Sequence, residues 1–402
     1  MAVIDETHDP ALESWVEPAD TSTSFPIQNL PLVTFLHQGR QRIGTAIGDG
    51  VLDLGPWLSG TDLSAFFRLG EPDREQLRRD LSRALRKGST PQQLYPQSEC
   101  TFLLPCVIGD YTDFYASIHH ARNVGALFRP GNPLLPNYKH MPIAYHGRAS
   151  SIVISGTPVT RPYGQLREGL FGPSAELDYE VELGAFCGPG NALGESIPLA
   201  RSKEHLAGYC LLNDWSARDI QRWEYQPLGP FLAKNFATTI SPWVVTAEGL
   251  APFEVAASAE DRVEPEYLRH PNGNTSALDI RIEAFLKPAG SSEQVRLSTA
   301  GFRDMYWTWA QMLAHHTVNG CPLRPGDLLG SGTISGPEPE NRGCLLELTE
   351  KGRRPIPLPN GQQRSFLMDG DVVTLHAFCE RAGYRPIGFG VCSGQILTRH
   401  HL

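Results

Sequence analysis

A chain of 402 residues, 41% hydrophobic and 20% charged, is expected to fold as two globular domains, which excludes a small binding module, a disordered tail and a fibre. No apolar run approaches the roughly 18 residues that a membrane span needs. With 35 basic against 44 acidic residues, a net charge of −9 and no basic stripe, nucleic acid is a poor partner.

Residues 1–24 are acidic and polar without periodicity, which predicts a flexible or draped N-terminal arm. The same stretch lacks the features of a secretory or transit leader, and a cytoplasmic location is expected. From residue 25, short apolar runs at 32–36, 42–47 and 51–54, separated by glycines, predict small strands joined by tight turns. Between 62 and 87 the apolar residues recur at helical spacing, and Pro72 divides two short helices. The Ser89-Thr-Pro stretch and Pro105 mark a linker, giving an N-terminal domain over 25–107 and a second over 108–402.

The second domain reads as mainly strand, with 39 Gly and 33 Pro in the chain supplying turns. Turn clusters fall at 186–191, 271–274 and 369–371, with strands over 177–186, 206–214, 278–285 and 372–376. Helices are predicted over 113–124, 217–225 and 306–315, with at most a turn at 203–206. The eight cysteines are scattered without a CxxC pair, as expected of buried free thiols.

The strongest chemical pattern is Leu177-Asp-Tyr-Glu-Val-Glu-Leu-Gly-Ala-Phe186, where alternation puts Asp178, Glu180 and Glu182 on one strand face. Such a face is either solvated or neutralised by a hard divalent cation with oxygen ligands. Asp214, at the end of a buried strand, is a further acid for that cluster. Ser216-Ala-Arg-Asp219 fits a helix-capping pattern and so leaves Asp214 free. On the helix that follows, Arg218, Gln221 and Tyr225 share one face, an expected binding surface. A helix starting near Thr112 would stack Asp113 and His120, a metal ligand and a general base, while His119 would align with Tyr115. The glycine-rich segment 331–336 is a hairpin turn or an anion-binding nest. Lys234 lies in an apolar stretch, and Glu347 is either exposed on a strand or buried and partnered; the residues alone leave both open.

Gly109-Asp-Tyr-Thr-Asp-Phe-Tyr115, Tyr145-His-Gly-Arg-Ala-Ser-Ser151, Leu212-Asn-Asp-Trp-Ser-Ala-Arg-Asp-Ile-Gln221, Thr238-Thr-Ile-Ser-Pro-Trp243, His315-His-Thr-Val-Asn-Gly320 and Arg324-Pro-Gly-Asp-Leu-Leu329 resemble the fumarylacetoacetate hydrolase family, and the likeness runs from Phe25 almost to the C-terminus. The resemblance implies a mainly β, α+β fold, with a small SH3-like N-terminal barrel and a larger mixed β-sandwich roll, assembled as a homodimer. It implies hydrolysis of the carbon–carbon bond of 4-fumarylacetoacetate to fumarate and acetoacetate, the last step of tyrosine catabolism. By the same resemblance, Asp113, Glu180, Glu182 and Asp214 hold Ca²⁺ or Mg²⁺, and a second Mg²⁺ falls at Lys234 and Thr238. Asp178 takes no such role. His120 is implied as general base with Glu347 as its partner, and Arg218, Gln221 and Lys234 as the groups that stabilise the oxyanion. Tyr115, Arg129, Tyr145, Arg218, Gln221, Tyr225 and Thr333 are implied to contact substrate. Ala237 stands where animal members have Gly, and the loop 163–176 is short. Acylpyruvate hydrolases, oxaloacetate decarboxylases and related isomerases, which share part of this pattern, and a non-catalytic Ca²⁺-stabilised protein are the alternatives.

Overall fold

The computed structural model describes residues 3–21, 24–257, 262–263, 265–270 and 276–398. The turn expected at 271–274 lies outside the described residues. Strand exceeds helix, about 31% against 22%, in a mixed α+β fold.

Near the N-terminus, five strands form an antiparallel sheet in the order Leu94–Pro96, Gly50–Asp53, Arg40–Ile47, Leu32–His37, Thr101–Leu103. Gly44 lets the curled strands close on one another: a Cβ there would lie 2.4 Å from Val51 Cγ1 and 2.9 Å from the Phe35 ring. Helices Ser64–Phe67 and Glu71–Leu85 lie in the chain between strands Gly50–Asp53 and Leu94–Pro96, with Pro72 in the first turn of the second, where its missing N–H costs nothing. Residues 3–21 lie against this body. The His8 ring bonds the Glu248 carbonyl at 3.0 Å, and the buried Arg78 guanidinium donates to Thr7 Oγ1 at 2.9 Å and to the Asn29 carbonyl at 2.8 Å.

The large sheet runs Ala144–His146, Tyr111–Phe114, Leu328–Gly330, Val181–Cys187, Leu206–Asp214, Thr238–Ile240, Ile152–Ile154, with Val245–Thr246 paired beside Leu206–Asp214. It mixes directions: Tyr111–Phe114 is parallel to Leu328–Gly330, whereas Val181–Cys187 and Leu206–Asp214 are antiparallel. A second sheet of five strands, Val295–Gly301, Arg281–Lys287, Val372–Cys379, Ile387–Leu397 and Val159–Thr160, packs against it. Trp215 fills the interface, and only a glycine fits opposite: a Cβ on Gly394 would sit 2.6 Å from the indole. Central strands covered on both faces explain why Val181–Cys187 and Leu206–Asp214 are buried at every position. The two parts of the chain meet through the Arg74–Glu248 ion pair (2.8 Å) and the stacked rings of Phe67 and Phe186 (centroids 5.0 Å apart).

Three expectations need correction. The helix over 113–124 is two elements, strand Tyr111–Phe114 and helix Ile118–Phe128, because Ser117 caps the helix by accepting from the His120 N–H. Asp113 and His120 therefore share no helix face, and Tyr115 packs edge-on against His120 rather than His119. Ser216 caps nothing: Ala217 is the cap position of helix Arg218–Glu224, and Asp219 accepts from Ser174 Oγ at 2.6 Å and the Ala175 N–H at 2.7 Å. The helix expected over 306–315 is Trp309–Thr317, set by a capping box of Thr308 and Gln311. All eight cysteines are free thiols, six of them buried, and among the described residues no helix is long and apolar enough to cross a membrane.

Candidate active site

Sheet register brings the acids together. Asp113 pairs with Gly330, Val181 with Asn213, and Asp214 with Thr238. Adjacent strand ends thus place Asp113, Glu182 and Asp214 side by side, with a carboxylate oxygen of each within 4.8 Å of the others. All three are buried, which excludes a solvated face. The Tyr145 hydroxyl donates to Asp113 Oδ2 and Asp214 Oδ2, both at 2.9 Å, and Thr238 Oγ1 donates to Asp214 Oδ1 at 3.2 Å. The 331–336 loop does offer an N–H to anions, but these are the chain's own: Gly332 N donates to Asp113 Oδ1 and Glu182 Oε2.

Glu180 joins through cations. The Lys234 ammonium donates to Glu180 and Asp214, and Arg218 Nη2 lies 2.9 Å from Glu180 Oε1. Asp178 faces away from the cluster. It accepts from Leu345 N and Leu346 N and pairs with Arg218 Nε at 2.9 Å, so it anchors the guanidinium that meets Glu180. Arg218 also donates to Gln221 Oε1 at 3.2 Å.

The charges divide accordingly. Burial, and then the charge of Asp214, hold Asp113 well above the ordinary carboxylate range; burial and then Asp113 do the same to Glu182. Burial would also raise Glu180, but Lys234 and Arg218 outweigh it and hold the group low. Burial would lower Lys234, but Asp214 and Glu180 reverse this, so the proton stays on the amine. One carboxylate atom, Glu182 Oε1, is buried with no protein partner. An oxygen-only set with surplus negative charge and an unmet acceptor fits a hard divalent cation.

A second cluster adjoins the first. His120, in the first turn of its helix, brings Nδ1 within 2.6 Å of Glu347 Oε2. Glu347 is buried on the short helix Leu345–Leu348 and also accepts from Asn123 Nδ2 and Ser335 Oγ, both at 2.8 Å. Burial pushes its carboxyl up, but the neighbouring His120 and these hydrogen bonds bring it down to about 2, so Glu347 is ionised at neutral pH. His120 in turn is among the groups that lower Glu180, so the two clusters lie within electrostatic reach of each other.

Tyr115 packs its ring on His120 with centroids 5.3 Å apart. Thr333 is buried in the 331–336 loop, and Ala237 is buried next to Thr238. Tyr225 and Arg129 are exposed; Tyr225 ends its helix, and Arg129 donates to the Pro133 carbonyl at 3.4 Å. Neither makes a hydrogen bond to the acids. Asn123, Ser335 and Tyr111 are site residues that sequence reasoning missed. Tyr111, two positions from Asp113, was discoverable from strand alternation had that segment been read as a strand. Hollows of about 350 Å³, beside Arg281 and Asp304, and about 220 Å³, beside Glu71 and Trp309, lie elsewhere, and none of these acids lines either one. Between the acids themselves sit the Lys234 ammonium and the Tyr145 hydroxyl.

A family profile described as fumarylacetoacetate (FAA) hydrolase C-terminal matches residues 110–397. Fumarylacetoacetase of Bos taurus is 48% identical, covering 94% of this chain and 98% of its own, and that of Homo sapiens gives the same figures. Fumarylacetoacetase of Arabidopsis thaliana is 46% identical, covering 96% and 98%. Among solved structures, a fumarylacetoacetate hydrolase from Exiguobacterium antarcticum aligns with a TM-score of 0.54 at 18% identity, covering 92% of this chain and all of that one, a likeness of fold.

Proposed function

The chain belongs to the fumarylacetoacetate hydrolase family, and from that premise we propose how its site works. It is a hydrolase that splits 4-fumarylacetoacetate at a carbon–carbon bond into fumarate and acetoacetate. The observation that carries the mechanism is the 2.6 Å contact between His120 Nδ1 and Glu347 Oε2 beside the acid cluster. An acid cluster that served only to bind a structural ion would have no use for an oriented, buried histidine.

Glu347 is ionised and accepts from Nδ1, so the imidazole carries its proton there and Nε2 is left as the acceptor. His120 would take a proton from water as the water oxygen adds to the ketone carbonyl carbon of the fumaryl group. Negative charge then develops on that carbonyl oxygen. Arg218, Gln221 and Lys234 are the donors at hand, each worth about 2.7–4 kcal/mol at comparable oxyanion sites. Arg218 Nη2 lies near two carboxylates but makes no aligned hydrogen bond, and so retains donor capacity for that oxygen. When the carbon–carbon bond breaks, the electron pair leaves with acetoacetate, and the proton held by His120 is available to the carbon released.

Asp113, Glu180, Glu182 and Asp214 would hold a divalent cation, Mg²⁺ or Ca²⁺, which when bound supplies Lewis-acid charge for the diketone oxygens. For a second ion, Thr238 Oγ1 and the Lys234 carbonyl are the available oxygens, since an ammonium has no lone pair to give. Tyr115, Arg129, Tyr145, Tyr225 and Thr333 would contact the substrate. We take residues 25–107 and 108–402 as the two domains and place the protein in the cytoplasm as a homodimer. The apolar residues Leu228 (96% exposed) and Phe231 (66% exposed), following Trp223 on the same surface segment, support an interface. Incubation with 4-fumarylacetoacetate in ¹⁸O-water tests the reaction: fumarate carrying one new ¹⁸O is expected, and unlabelled fumarate or intact substrate would refute it.

A further inference from the structure

Glu182 Oε1 is not the only unmet atom at the acid cluster: the Tyr111 hydroxyl is also buried without a partner. Tyr111 and Asp113 stand two apart on strand Tyr111–Phe114, so both side chains leave the same face. Two distant glycines make room for the phenol. A Cβ on Gly147 would lie 2.2 Å from Tyr111 Cδ1, and a Cβ on Gly330 would lie 3.1 Å from the Tyr111 hydroxyl and 2.4 Å from Asp113 Oδ1. The hydroxyl is therefore delivered beside a cluster carboxylate, yet it makes no hydrogen bond to any of the four acids. Tyr145, by contrast, already serves Asp113 Oδ2 and Asp214 Oδ2. A phenol keeps its proton at neutral pH, so this hydroxyl is a donor without an acceptor.

A buried, unsatisfied hydroxyl costs free energy that phenylalanine would not. An unmet donor and an unmet acceptor in one cluster, not bonded to each other, point to a hydrated species between them. Hard divalent ions commonly keep several waters, and outer partners of such sites orient what the ion holds. We propose that Tyr111 is a positioning residue of the cation site, donating its hydroxyl hydrogen to a water in the coordination shell of the ion that Glu182 helps to bind. The inference rests on the reading of Asp113, Glu182 and Asp214 as ligands.

The test is Tyr111→Phe, which removes one oxygen and leaves the ring between its glycines. Calorimetric titration of native and variant protein with Ca²⁺ and with Mg²⁺ is paired with thermal melts in chelator. Affinity for the ion is expected to fall about tenfold or more, while the melting temperature in chelator stays the same or rises. A variant that binds within twofold of native would overturn the role of Tyr111 and leave the ligand assignment standing. A native chain that binds neither ion would overturn both. A melting temperature lowered in chelator with affinity unchanged would assign the hydroxyl to packing alone and likewise overturn the proposal.

Discussion

His120→Asn is expected to lower kcat by about 10²–10⁴-fold, the contribution typical of a positioned general base, with little change in divalent-ion affinity or melting temperature. Asparagine can still donate to Glu347 Oε2, so the carboxylate held by Asn123 and Ser335 is not left stranded. It cannot accept and carry a proton. Steady-state kinetics on 4-fumarylacetoacetate with calorimetry on the same preparations separate the two effects. A variant that keeps more than a tenth of the native rate would remove His120 from the base role, and an equal loss of ion binding would make it structural.

Glu182→Gln is expected to shift two quantities in opposite directions. The substitution keeps the shape and one acceptor but removes an ionisable group from three buried carboxyls that suppress one another's ionisation. Ion affinity should fall by about two orders of magnitude, since ligand charge is a main determinant of affinity at such sites. The metal-free protein should melt at a higher temperature, because mutual repulsion is relieved. Titration calorimetry and melts in chelator read both. A drop in melting temperature with unchanged affinity would show that Glu182 holds the sheet rather than an ion.

The same residues show what the sequence can and cannot disclose. Glu180 and Glu182 are legible because strand alternation is local, and Asp214 because an apolar run ends on it. Asp113 lies beside Glu182 and Asp214 but on a strand, not on the helix that its spacing suggests. Its strand is fixed by pairing with Leu328–Gly330, more than two hundred positions away, which no local propensity reports. Pattern matching failed at Ser216–Asp219 for the same reason: Asp219 finds stronger partners in Ser174 and Ala175, brought near by another strand. Glu347 could not be resolved as exposed or buried, since its partners come from residues 120, 123 and 335. Asp178 sits in the alternating series by spacing but serves Arg218 by geometry, because the strand is interrupted between Asp178 and Val181. The resemblance supplied the assignment of roles; the fold supplies the reason these positions meet.

The most direct measurement is turnover of 4-fumarylacetoacetate by protein stripped with a chelator, shown by elemental analysis to be metal-free, and then titrated with Mg²⁺ or Ca²⁺. Turnover should vanish on stripping and return in step with the ion bound. Undiminished turnover by the metal-free protein would contradict the assignment of Asp113, Glu180, Glu182 and Asp214 to a cation that the reaction requires.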